Sequence, residues 1–185
     1  HFDAQPDIIV FGKALTNGMN PLSGIWAREE LINPGVFGPG STHSTFSSNT
    51  LGTAAGLAVM KILAGGNHAT EVKRKGAYFL HKLRHLKAKH SEVGDVDGLG
   101  LALRMEMCEA DGFTPNRRLA DRMFQIGLDG NLSIASRNMG LVLDIGGYYK
   151  NVITLAPSLE ITTAEIDLAA LALNHVLTGA KEQCR

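Results

Sequence analysis

The sequence predicts an α/β chain that ends in an α+β unit, and three observations carry that reading. An apolar run, Ile8-Ile9-Val10-Phe11, closes on Gly12 and Lys13 and suits a short buried strand. Glu71 to Lys89 places Phe79, Leu83 and Leu86 on one side of a helix and His81, Lys82 and His85 on the other. Leu101 to Met107 alternates as a strand does, and Thr162-x-x-Glu165 opens a final helix with a capping box. The chain divides at residues 1–66, 67–92 and 93–185.

In chain order, residues 8–12 form the first strand. The turn-rich Thr16-Asn17-Gly18-Met19-Asn20-Pro21 follows, then a short strand over Ser23 to Ala27. Arg28 to Ile32 makes a helical turn, and Asn33 to Thr42 is a loop. A helix starts at Asn49 or Thr50 and runs to Leu63. Its first half, Gly52-Thr53-Ala54-Ala55-Gly56, is small enough for another backbone to pack close, and Gly65-Gly66 stops it.

After His90 the pattern becomes strand, turn, strand, over Val93–Gly98 and Leu101–Met107. Thr114-Pro115 is a helix start, a capping hydroxyl followed by a first-turn proline. That helix carries Leu119, Met123 and Ile126 and stops at Gly127 or Gly130. Strands are expected at 131–135, 140–145 and 152–155. The final helix turns Ile166, Ala169, Leu173, Val176 and Leu177 toward a core.

Composition narrows the function classes. The 185 residues are 44% hydrophobic and 19% charged, ordinary for a globular chain. Lys+Arg and Asp+Glu are 18 each, so no basic excess points to nucleic acid. No run approaches a membrane span, and no signal peptide is visible. Cys108 and Cys184 form no Cys-x-x-Cys pattern, so neither a metal nor a disulfide framework is implied, and a cytoplasmic setting is the default. His81 and His85 have zinc-compatible spacing, but lysines surround them and no third ligand accompanies them; they read as a solvated face. The chain opens at His1 without an initiator methionine and runs at once into a strand, so it reads as cut from a longer one.

Two constellations can carry chemistry. Lys13 is the only charged residue between Ile8 and Ala27. At the end of a buried strand its amine sits at the edge of a core. Desolvation there disfavours the ammonium and makes a nucleophile toward carbonyl carbon. The plain alternative is a strand-end lysine with its head in water. The second constellation is Ser41-Thr42-His43-Ser44-Thr45-Phe46-Ser47-Ser48-Asn49, which precedes a helix. Hydroxyls and free amides there suit an anion, or they simply cap the helix. Trp26 and Phe46 suit either a pocket wall or a core, and core packing is the commoner use. His43 suits the shape of its loop.

Together the lysine block Pro6–Gly18, then Pro21-Leu22-Ser23-Gly24, then His43 to Gly52, resembles the class III aminotransferases, which are pyridoxal phosphate enzymes of fold type I. The likeness continues through Val93-Gly94-Asp95-Val96-x-Gly98-x-Gly100-Leu101 and through Val152-Ile153-x-Leu155-Ala156-Pro157-x-Leu159-x-Ile161-Thr162. It corresponds to roughly the C-terminal half of a family member. Residues 1–66 would be the end of the large cofactor-binding domain, 67–92 an interdomain helix and 93–185 the small C-terminal domain. The resemblance implies that Lys13 forms the internal aldimine with pyridoxal 5'-phosphate and moves the proton between substrate and cofactor. It implies that Thr45 reaches the cofactor phosphate of a neighbouring subunit, hence a homodimer with shared sites. The expected reaction transfers an amino group between an amine, ω-amino or diamino acid and a keto acid.

Departures from the family pattern matter as well. Thr154 stands where many members carry an arginine that pairs with a substrate carboxylate. Arg137 is a candidate replacement. Ser158 replaces the family's second proline, and Asp97 replaces the usual arginine before the Gly-x-Gly-Leu turn. Ser47-Ser48-Asn49 replaces Gly-Gly-Asn. The family's Gly-rich phosphate loop, its ring-stacking aromatic and the aspartate facing the pyridine nitrogen belong to the upstream half. A racemase, epimerase or aminomutase on the same cofactor uses the same lysine. A non-catalytic relative of the fold is the third reading.

Overall fold

The computed structural model describes residues 3–41 and 43–184. They divide into two units, one ending at Asn67 and one starting at His68.

The first unit has few elements. Strand β1 (Ile8–Phe11) pairs antiparallel with β2 (Gly24–Ala27), Ile8 opposite Ala27 and Phe11 opposite Gly24. A 3-10 turn over Lys13–Thr16 follows β1, and another over Glu29–Leu31 follows β2. Helix α1 spans Thr50–Gly65. Gly52 and Gly56 let α1 lie close to the loop before β2. A Cβ on Gly52 would stand 3.0 Å from Asn20 Oδ1, and one on Gly56 3.0 Å from a Leu22 methyl.

The burial expected of β1 is not found. All four of its residues are exposed, Val10 to 75%. The apolar run that predicted the strand is there, and so is the strand, but none of its residues is buried among the described residues. Helix α1 tells the same story. Its only charge is Lys61, and Leu51, Leu57, Met60, Ile62 and Leu63 are all exposed. A helix apolar on every side is an interior helix, and a two-stranded ribbon is marginal by itself. The first unit therefore has the composition of a protein interior without the layers that would cover it.

The second unit holds the core. Helix α2 (His68–Lys89) leads into β3 (Val93–Leu99) and β4 (Ala102–Met107), then α3 (Arg117–Leu128). A small hairpin follows, β5 (Leu132–Ile134) with β6 (Arg137–Met139). Strands β7 (Asp144–Gly146) and β8 (Val152–Leu155) complete a four-stranded antiparallel sheet in the order β3-β4-β8-β7, and α4 (Thr163–Cys184) closes the unit. Helix α2 packs within this unit. Phe79, Leu83 and Leu86 of α2 join one cluster with Leu103, Met105, Met107 and Ile153 of the sheet and Ile166, Leu173, Val176 and Leu177 of α4.

Local chemistry sets these elements. The Thr162–Glu165 box forms as expected. The Thr162 N–H donates to the Glu165 carboxylate at 2.7 Å, and the Glu165 N–H donates to the Thr162 hydroxyl at 3.2 Å. At α3 the cap is Asn116 instead of Thr114, accepting from the Leu119 N–H at 2.8 Å. The Thr114 hydroxyl donates to Asp111, whose carboxylate closes the preceding turn. Of the strand expected at 140–145 only Asp144 and Ile145 are found, at the start of β7; Gly140–Leu143 is not strand, and β6 was not expected. Buried Asn151 ties β8 to β4, its amide donating to the Met107 carbonyl at 2.8 Å.

Candidate active site

Gly12 and Lys13 end β1 and turn the chain into a 3-10 turn. Lys13 has φ 55°, in the left-handed region that a side chain adopts at a cost of roughly 1–3 kcal/mol. The turn is held at its far end by Thr16, buried, whose hydroxyl donates to the Asn20 carbonyl and accepts from the Asn20 N–H. Asn20 in turn accepts from the Asn49 side-chain amide. The lysine turn and the start of α1 are thereby joined through three polar side chains.

This places Lys13 in a cavity of about 560 Å³ lined also by Pro21, Leu22, Ser23, Ser44, Phe46, Ser47 and Ser48. One amine, four hydroxyls and one aromatic ring face it, and no carboxylate does. Of the predicted site residues, Lys13 is inside. Thr45 lies in the same turn, exposed, outside the lining. Phe46 is 80% exposed and lines the cavity; it is not a core residue. Trp26 is half exposed on β2, again outside any core. Ser23 belongs to the family-like Pro21-Leu22-Ser23-Gly24 block but had no role assigned from the sequence; it stands one residue before the strand that pairs with the lysine strand. Ser48, like Lys13, has a positive φ of 55°.

The helix start resolves largely as a cap. The Asn49 side chain accepts from the Leu51 N–H at 3.1 Å and the Gly52 N–H at 3.4 Å. Those two amides are spoken for, which leaves the hydroxyls of residues 44–48 and the other backbone N–H groups of the turn for an anion. His43 is hydrogen-bonded through Nδ1 to the Gly40 carbonyl at 3.2 Å, which serves loop shape. Thr42 lies outside the described residues. Lys13 is exposed among the described residues, so the desolvation expected to activate its amine is not supplied by them.

In the second unit, Thr154 is exposed on β8 and stands opposite Arg104 of β4 and Asp144 of β7. Arg104 is engaged by Asp95 at 2.9 Å and by Asp97 at 3.7 Å. Asp97 therefore has a structural partner across the hairpin. Arg137, the suggested replacement for a carboxylate partner, is exposed on β6. His81 and His85 are exposed on α2, and no cluster able to hold a metal occurs among the described residues. No helix among them is long and apolar enough to cross a membrane. Cys108 and Cys184 are free.

Comparison with known proteins follows the same lines. The chain is 31% identical over 177 residues to ornithine aminotransferase of Bordetella pertussis, covering 96% of this chain and 38% of that protein. It is 27% identical to the alanine/serine racemase of Pyrococcus horikoshii, covering 98% of this chain and 36% of that one. It superposes on a transaminase from the marine bacterium Virgibacillus with a TM-score of 0.85 at 23% identity, over 99% of this chain and 41% of that one, which speaks to fold. The chain thus spans about two-fifths of the length of the proteins it matches, and its fold is that of the C-terminal portion of a fold type I, pyridoxal-phosphate-dependent transaminase. The model of the class III aminotransferase family matches residues 1–177, and the chain belongs to that family.

Proposed function

We propose that this chain is the part of a pyridoxal-phosphate-dependent aminotransferase that carries the lysine anchor. The reaction is transfer of an amino group between an amine, ω-amino or diamino acid and a keto acid. The observation that carries the reading is the Lys13 cavity, in which a single amine faces four hydroxyls and no acid. That donor set fits an aldehyde bearing a phosphate dianion, because it offers one nucleophile and several neutral hydrogen-bond donors.

The roles follow from the groups. Lys13 Nζ would be the covalent anchor for the cofactor, and its free amine would accept and return a proton as general base and acid. Pyridoxal phosphate, when bound, supplies the electron sink for that proton transfer. The left-handed turn at Lys13 aims the amine out of the strand line and into the cavity; the buried Thr16 and the Asn20–Asn49 contact hold the turn. By the family resemblance, Thr45, exposed and outside the Lys13 cavity, would contact the phosphate at a neighbouring subunit's site, which would make the working unit a homodimer. The unpaired cysteines suit a reducing, cytoplasmic compartment.

The exposed Lys13 needs the remaining family length to exclude water. Activity is therefore measured on the longest natural reading frame that carries this chain. Incubation with an amino donor and a keto acid is expected to yield a stoichiometric new keto acid or aldehyde, and Lys13→Ala is expected to abolish it. The similarity to an alanine/serine racemase favours one second reading, proton return to the same carbon. Loss of optical rotation without keto acid formation would replace transamination by that reading.

A further inference from the structure

A second cavity, of about 370 Å³, lies where α3 meets the last turn of α4. Arg118, Asp121, Arg122, Gln125, Gln183 and Cys184 line it. Its charge is not balanced internally. Asp121 is taken by Arg117, Nε to Oδ2 at 3.2 Å, one turn along the same helix. Lys181, on the preceding part of α4, is taken by Glu92 at 2.7 Å. Arg118 and Arg122 have no carboxylate within ion-pair distance among the described residues. They stand one helical turn apart, a spacing at which like charges repel.

The arrangement is also partly fixed in advance. Arg122 is half-buried, and its Nε donates to the side-chain carbonyl of Gln183 across the two helices. That bond uses Nε and leaves the other guanidinium N–H groups for other acceptors. Arg118 comes from the exposed side, and Gln125, on the next turn, adds an amide. Guanidinium forks recognise planar or tetrahedral oxyanions by paired N–H donors. The volume lies at the low end for small-molecule pockets.

We propose that this cavity is a binding site for a small dianion, a phosphate or a dicarboxylate, held between Arg118 and Arg122. The bound charge relieves the repulsion between the two arginines and bridges α3 to α4.

Cys184 makes the test direct, because it lines the cavity and is half-buried, whereas Cys108 is buried and its thiol pushed up by that burial and by Glu106. Alkylation of Cys184 by iodoacetamide, a neutral reagent, is followed by peptide mass spectrometry. Inorganic phosphate and succinate are each titrated against sodium chloride of equal ionic strength. At twice its dissociation constant either anion is expected to slow alkylation about threefold by occupancy alone, and whichever protects at lower concentration identifies the ligand class. Arg118→Gln/Arg122→Gln is expected to lose that protection while keeping its alkylation rate in chloride. Should the double variant misfold, Arg118→Gln alone changes only an exposed side chain and is expected to weaken protection severalfold. Equal rates in phosphate, succinate and chloride would overturn the proposal, as would protection that survives both substitutions.

Discussion

Replacing Gly76 by alanine sets two effects of opposite sign against each other, and their sizes decide the outcome. In the middle of α2 an alanine is intrinsically favoured over glycine by about 1 kcal/mol. At this position a Cβ would stand 2.1 Å from the Gly100 carbonyl oxygen and 2.3 Å from its carbon. Comfortable contact begins near 3.5 Å, so helix and turn must part by more than about 1 Å. Both clashing groups are backbone, and the turn has little freedom, since Gly100 has φ 57° and a Cβ there would itself meet Val72. Overpacking costs roughly 1–3 kcal/mol, and the unyielding neighbours place this case at or above the upper end. The net expectation is a loss of about 2 kcal/mol, which at a typical urea slope lowers the midpoint by roughly 1 M. The assay is urea unfolding followed by far-UV circular dichroism, which reads the helices of the second unit directly; the single tryptophan, Trp26, belongs to the first unit. An unchanged or higher midpoint would refute the reasoning, since intrinsic propensity would then have outweighed the contact.

Further perturbations test other parts of the account. Asn151→Ala removes one of two donors to the Met107 carbonyl, the Asn116 N–H remaining at 3.0 Å, so a loss of about 1 kcal/mol in the same urea assay is expected. The Glu165 carboxyl is held below the usual carboxylate range by the Thr162 N–H and then by the Thr162 hydroxyl. A depressed native value stabilises the fold above the unfolded value and is lost as pH falls through the native one. The stability gap between the parent protein and Glu165→Ala should therefore be full at pH 7 and close progressively below about pH 4.3; a gap that persists at pH 2 would contradict the cap. Expressed separately, residues 68–185 should melt cooperatively and residues 1–67 should not, because the hydrophobic core belongs to the second unit. A cooperative melt from residues 1–67 would show that the exposed faces of β1 and α1 find each other unaided.

What was legible in the sequence follows from where each residue's partner lies. The helices α2 and α4 were readable because their apolar stripes face a core made by the same 118 residues of the second unit. The capping box was readable because both partners lie within one turn. Asn116 was passed over for Thr114 because both are good caps two residues apart; only the turn chemistry of Asp111 separates them. The Ile8–Phe11 run correctly marked a strand, but burial is a property of what packs on it, and the described residues of the first unit leave all four of its residues exposed. Lys13 stood out as a lone charge in an apolar stretch, whereas its left-handed backbone had no local signature, such turns usually falling to glycine or asparagine. The neighbouring Gly12 instead has extended backbone. That Ser23 faces the same cavity as Ser47 depends on β1–β2 pairing and on the Asn20–Asn49 contact, neither of which spacing alone encodes.

The central claim is that Lys13 Nζ carries the cofactor. The natural reading frame containing this chain is incubated with pyridoxal phosphate, reduced with borohydride and mapped by peptide mass spectrometry. A phosphopyridoxyl group on Lys13 at near one equivalent, and nowhere else, is the predicted result. An unmodified Lys13, or labels scattered over exposed lysines such as Lys87 and Lys89, would contradict the account and leave a member of the family without its chemistry.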